Sequence, residues 1–247
     1  MDQHVPGSSL THTAYEQLRT DLLAGRLQPG EKLKISDLCA SLSVGLSAVR
    51  EALSRLTSEG LVVAAPQRGF RVAPVSAKDL LDLTEARVEI EGLCLKQSIG
   101  NANLAWETGI VAAFHRLSRT PERVPEDPVR INEAWASAHA AYHQALVSAC
   151  DNSWLLRVRD LLYAQSERYR RLSAPFSEEK RDTEAEHRKL MDAVLARDAD
   201  QGYELMASHF RLTTHLLLNG RLFKALDGDM GAAEPKLKKR PAQRHPL

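Results

Sequence analysis

The feature that most constrains this chain is the series of long helical periodicities that fills it from Ser76 onward. Six amphipathic patterns can be drawn, at roughly 76–100, 103–119, 127–150, 153–173, 177–197 and 199–220. Only Gly100-Asn101, Pro121 to Pro128, Asp151-Asn152, Pro175 and Asp198 to Asp200 interrupt them. Breaks this short force each helix back along its neighbour, which predicts an antiparallel bundle of six to seven helices. Ser76 is placed to cap the first of them.

The character of the chain is different before Pro74. Ala14, Leu18 and Leu22 share one face of a helix over 11–25, which Gly25 ends and Gln28-Pro29-Gly30 turns away from. Ser36 is expected to cap a short helix through Leu42, and Ser47 to cap another running to about Glu59. Between them lies a tight connector, Ser43 to Leu46, in which Gly45 is free to take a positive φ. Leu61 to Ala64 reads as a strand, Pro66 to Gly69 as a turn, and Phe70 to Val72 as the returning strand. Three helices and a small β-wing make a winged helix-turn-helix. The expected organisation is therefore a mainly α protein. A flexible start (1–10) precedes a winged helix-turn-helix (11–75), an all-α domain (76–222) and a basic, disordered tail (223–247) carrying Lys236, Lys238, Lys239, Arg240 and Arg244.

Bulk properties narrow the function classes. The formal net charge is only +1, so any affinity for nucleic acid must come from local placement of charge. Cys39, Cys94 and Cys150 are few and far apart, with no CxxC, which excludes a disulfide framework or thiolate metal site. No apolar run approaches the roughly 18 residues of a membrane span, and the N-terminus lacks a signal-peptide pattern, so a cytoplasmic location is expected.

A helix-turn-helix reads DNA by laying its second helix in the major groove. The first turn of that helix offers Ser47, Ala48 and Arg50, with Arg50 the main candidate for a base or phosphate contact. The alternative for Arg50 is an ion pair with Glu51 or Asp37. Arg68-Gly69 at the wing tip can enter the adjacent minor groove. Residues 13–75 resemble the DNA-binding domain of GntR-family regulators, on the strength of "GRLQPGEKL" (25–33), "VREALSRLTSEGLV" (49–62) and "QRGFRVAPV" (67–75). The resemblance implies that Ser47, Arg50, Arg68 and Gly69 touch an operator. It also exposes a departure, since Leu46 stands where many relatives have an arginine.

Nine histidines pose the chemical question of the second half. His139 and His143 lie four apart on one helix, so both imidazoles face the same way and can share an ion. His187 and His209 fall on the last two helices, and His115 and His215 read as surface or packing residues. Residues 80–220 resemble the FCD effector domain of the FadR branch of the same family, through "EARVEIEGL" (85–93), "HAAYHQALVSACDN" (139–152), "EHRKLMDAVLARDAD" (186–200) and "MASHF" (206–210). That resemblance implies a divalent metal on His143, His187 and His209, with His139 in the place where many relatives have an aspartate. Four imidazoles favour zinc or nickel over magnesium or calcium; if His139 is not a ligand, three histidines leave positions open for water and effector. It further implies that Arg87 clamps the carboxylate of an effector, with Arg168, Tyr169 and Arg171 as further candidates.

The reading is a ligand-responsive DNA-binding transcription regulator, a homodimeric repressor and not an enzyme. A small organic mono- or dicarboxylic acid held at the metal would modulate its grip on operator DNA. The alternatives are a metalloregulator in which the ion is itself the signal, and a metal-dependent hydrolase. The second has no HExxH, GxSxG or phosphate loop behind it.

Overall fold

The structure is a computed structural model that describes residues 10–65, 68–173, 181–220 and Phe223. The expected flexible start, apart from Leu10, lies outside the described residues. So do Pro66-Gln67, Pro175, the first residues of the helix expected from 177, and the basic tail beyond Phe223.

The N-terminal part runs α1 (Leu10–Leu23), β1 (Lys32–Leu33), α2 (Ile35–Leu42), α3 (Leu46–Ser58), β2 (Val62–Ala65) and β3 (Gly69–Val72). Strand β3 is central, pairing antiparallel with β2 (Val62 opposite Val72) and with β1 (Leu33 opposite Phe70). Two residues are too few to show an alternating pattern, and β1 was not expected. Ala14, Leu18 and Leu22 of α1 close on Val49, Leu53 and Leu56 of α3, all buried in one core. The capping differs from expectation. Helix α2 starts at Ile35 and α3 at Leu46, one residue before the serines expected to cap them, and neither has a side-chain cap. Ser43 takes the left-handed conformation (φ 53°) that ends α2, while Gly45 is extended (φ −73°) and serves as the N-cap of α3.

The second part contains α4 (Ala77–Gly100), α5 (Leu104–Ser118), β4 (Arg123–Val124), β5 (Asp127–Ile131), α6 (Glu133–Val147), α7 (Ser153–Ser173), α8 (Thr183–Leu195) and α9 (Ala199–Asn219). Ser76 caps α4 as expected, its Oγ accepting from the Asp79 N–H at 3.1 Å. A small hairpin, β4–β5, replaces the start of the helix expected from 127, and α6 begins only where Asn132 caps it by accepting from the Ala134 N–H. Apolar faces of α4, α5, α6, α8 and α9 meet in a second core around Val88, Leu95, Ile110, Leu146 and Val194. No helix among the described residues is long and apolar enough to cross a membrane.

Helix α4 packs on α7 and on α9, and the crossing with α9 is close because Gly92 has no side chain. The Tyr203 ring occupies the place a Cβ would take. Gly92→Ala is therefore expected to destabilise the protein by about 1–3 kcal/mol, read as a lower urea midpoint with unchanged slope. Adding Tyr203→Ala should remove most of the extra cost of the alanine; equal costs in both backgrounds would mean the crossing is not tight there.

Candidate functional site

Burial of Val49, Leu53 and Leu56 fixes which face of α3 remains for DNA. Ser47 and Arg50 are exposed on its first turn. Among the described residues no acid pairs with Arg50, because Asp37 lies 3.8 Å from Lys34 instead. Arg68 and Gly69 are exposed at the wing, and the φ of +81° at Gly69 explains why glycine stands there. Leu46, the departure noted in the sequence, is 52% exposed and presents an apolar side chain to the same surface.

The histidines come together from three helices. Helix α6 supplies His139 and His143, α8 supplies His187, and α9 supplies His209. All four are buried, and one ligand nitrogen from each lies within 4.8 Å of the others. The Nε2 atoms of His139 and His143 are 3.2 Å apart. Two of the four have an outer nitrogen anchored where a metal-binding imidazole would be held by its second partner. His139 Nδ1 lies 3.2 Å from the Tyr163 hydroxyl, and His209 Nδ1 lies 2.9 Å from the Glu186 carboxylate. Burial opposes ionisation of Glu186, but hydrogen bonds from His209 and Arg181 outweigh it and hold the carboxyl at about 2. The His187 Nε2 has no hydrogen-bond partner although it is buried.

Burial pushes His139, His143 and His187 well below the ordinary imidazole range, and neighbouring cations and imidazoles push the same way. His209 is lowered by burial too, against the opposing pull of Glu186. Each neutral imidazole can turn one lone pair toward a common centre. The residues fit a divalent ion. Nitrogen-only donors at this separation need a small inward movement to reach metal–nitrogen bonds of about 2.0–2.1 Å, and an ion would give the orphaned His187 nitrogen its partner. His139 stands with the other three in this group.

His139, His143 and His209 line a cavity of about 700 Å³, while His187 lines a smaller neighbouring one. Arg87 lines it, buried, with its guanidinium 3.9 Å above the Phe210 ring. It is already engaged. Its Nε donates to Glu91 Oε1 at 2.8 Å, its Nη2 lies 2.7 Å from the same oxygen, and its Nη1 donates to Ser166 Oγ at 2.7 Å.

Arg168 requires a correction. It does not reach the cavity but turns to the junction with the winged helix, where its Nη2 donates to the Ala73 carbonyl. Tyr169 follows it, its hydroxyl donating to Asp79 at 2.6 Å, and Arg171 pairs with Glu133 and Glu167. The cause is the helical period. Residues 163, 166, 167 and 170 share the cavity face of α7, whereas 165, 168, 169 and 172 face the other way. Arg170, held by Glu167, is thus the α7 arginine in the cavity. Sequence reasoning missed it, along with Tyr163, although the i, i+3, i+4, i+7 rule applied to α7 would have grouped both on one face.

A winged helix with an uncompensated basic reading face, in one chain with a helical domain built around a cavity, defines a DNA-binding transcription regulator. Residues 10–72 match the bacterial regulatory proteins of the gntR family, and residues 82–212 match the FCD domain. The uncharacterized HTH-type transcriptional regulator BphR of Paraburkholderia xenovorans is 42% identical over 81% of this chain and 82% of its own. The HTH-type transcriptional repressor GlaR of Escherichia coli is 35% identical over 79% of this chain and 90% of its own. Among solved structures, Escherichia coli McbR/YncC shares the fold with a TM-score of 0.69 and 21% identity, over 85% of this chain and 97% of that one. The chain belongs to the GntR family of bacterial transcription regulators, in the group that carries an FCD domain, and these are regulators rather than enzymes.

The buried imidazoles give the metal-free protein a defined pH dependence. Each has a lowered value in the folded state, while the unfolded chain binds its protons near 6.5. Stability is therefore flat above that pH and falls below it, by about 1.4 kcal/mol per pH unit for each imidazole that stays neutral. Chemical denaturation of chelator-treated protein at pH 7.5 and 5.5 tests this, and equal stability at both would contradict the buried, neutral cluster.

Proposed function

We propose that this protein is a cytoplasmic repressor whose hold on operator DNA is tuned by a small organic acid, a mono- or dicarboxylate. The acid binds at a divalent metal, zinc or nickel, carried by His139, His143, His187 and His209. The observation behind this reading is the convergence of four buried imidazoles, one with an unpartnered Nε2, three of which line a cavity of about 700 Å³. With no anionic ligand the metal keeps its full positive charge and attracts a carboxylate. Arg87, lining the same cavity, supplies the fork that takes one. A sensor of the ion alone has no use for so large a cavity, which favours the acid over the metalloregulator.

Residues 11–75 form the reading unit and 76–222 the sensing unit in this proposal. Ser47, Arg50, Arg68 and Gly69 contact the operator, and a homodimer presents two such surfaces to a pseudo-palindrome. The repressor description of GlaR supports the sign of regulation. Arg168 serves the junction rather than the effector. With it, Gln165 Nε2 donates to the Glu59 carbonyl at the end of α3 at 2.6 Å, so the helix that lines the cavity also touches the reading helix.

Purified protein is expected to carry about one divalent ion per chain by elemental analysis, and His143→Ala to lose it. Arg50→Ala should weaken operator binding by about 1–3 kcal/mol yet keep the thermal shift produced by acids. Metal-free protein from a chelator-free preparation, or a His143→Ala variant that keeps its ion, would sink the metal centre. Unchanged operator affinity in Arg50→Ala would mean the reading surface lies elsewhere.

A further inference from the structure

A clamp that is already closed on another carboxylate cannot take an effector without giving something up. Arg87 is in that position. Glu91, only 1% exposed, holds its Nε and Nη2. Removing the arginine would strand a carboxylate inside the protein, which is costly unless another cation covers it.

Such a cation stands on the other side of Glu91. Arg159 of α7 is 3% exposed, and its Nε lies 3.5 Å from Glu91 Oε2, within ion-pair range but without a hydrogen bond. Its Nη1 donates to Gln144 Oε1 at 2.6 Å and to Asp160 at 3.0 Å, while Nε and Nη2 have no hydrogen-bond partner. Asp160 is 62% exposed, so water screens most of its charge. The buried group thus holds two guanidiniums against one carboxylate. Both guanidiniums lie over the Tyr163 ring, Arg159 at 4.8 Å and Arg87 at 5.5 Å. Both Arg87 contacts fall on Glu91 Oε1, so the two unused donors of Arg159 face the carboxylate's other oxygen, an arrangement ready to exchange partners.

We infer that Arg159 is a positioning residue for the effector: it takes over the Glu91 carboxylate and so releases Arg87 to clamp the carboxylate of an organic acid in the cavity. The exchange conserves charge pairing inside the protein, with one carboxylate entering for the one that Arg87 leaves. It also gives up one tether between α4 and α7, Arg87 to Ser166, and tightens another, the ion pair of Arg159 with Glu91. This rests on the effector reading above and deepens it, by explaining how a site whose arginine is occupied can still bind an anion.

The test uses zinc-loaded full-length protein and calorimetric titration with straight-chain mono- and dicarboxylates from acetate to adipate, the tightest binder serving as probe. Arg159→Gln is expected to weaken the probe at least tenfold with metal content unchanged, because Arg87 can no longer leave Glu91. Glu91→Gln should bind at least as tightly as wild type. The pair Arg159→Gln with Glu91→Gln should return to within threefold of wild type, a rescue that a merely structural role for Arg159 would not give. Should Arg159→Gln fail to fold, Arg159→Lys keeps a covering charge and is expected to stay within tenfold of wild type. A double variant as weak as Arg159→Gln, or a Glu91→Gln variant weaker than wild type, overturns the inference while leaving the effector reading intact. A wild type that binds none of the acids overturns the effector reading and the exchange with it.

Discussion

The second domain depends most on four neutral imidazoles buried together, their rings tilted or edge-on to one another. His139, His143, His187 and His209 are buried, and Arg87, Arg159, Arg170 and Arg181 raise the positive potential around them. Protonation is thereby suppressed, and each ring keeps a lone pair free for a metal. The supporting contacts follow from that requirement. Tyr163 and Glu186 hold outer nitrogens, and burial of the Tyr163 hydroxyl pushes it up to about 12, so it stays protonated at neutral pH. Helices α6, α8 and α9 must keep their register to within a fraction of a turn, because a single step would carry an imidazole out of the group.

Helix α7 touches both the cavity and the winged helix. Its cavity face carries Tyr163, Ser166 and Arg170, and the opposite face carries Gln165, Arg168 and Leu172. Leu172 reaches to 3.0 Å from the place a side chain at Gly25 would occupy, and Gly25 itself has a φ of +70°. The junction is small, and its polar part uses backbone carbonyls at the end of α3 and just after β3. Hydrogen bonds to carbonyls fix position without asking for particular side chains on the reading domain.

The periodic elements were legible in the sequence, and so was the family. Helices α1 and α4 through α7 show one apolar face each, and "VREALSRLTSEGLV" identifies the reading helix by composition and order. The His139 and His143 pair was legible because four residues make about one helical turn. Strand β1, the β4–β5 hairpin and the caps of α2 and α3 were not. Two-residue strands carry no period, and whether a serine caps a helix or sits inside it turns on a single residue of offset that packing decides.

The sequence by itself determined the kind of protein this is: three helices and a wing, then a bundle, with four histidines spread over three of its helices. Local rules suffice for that, since periodicity, turn chemistry and motif order act over a few residues. Only the tertiary structure decided that the four imidazoles meet, that Arg170 and not Arg168 enters the cavity, and that Arg87 and Arg159 share one buried carboxylate. Those outcomes depend on which faces of separate helices are pressed together. That choice is set by the shape of the whole core, and no window of neighbouring residues contains it.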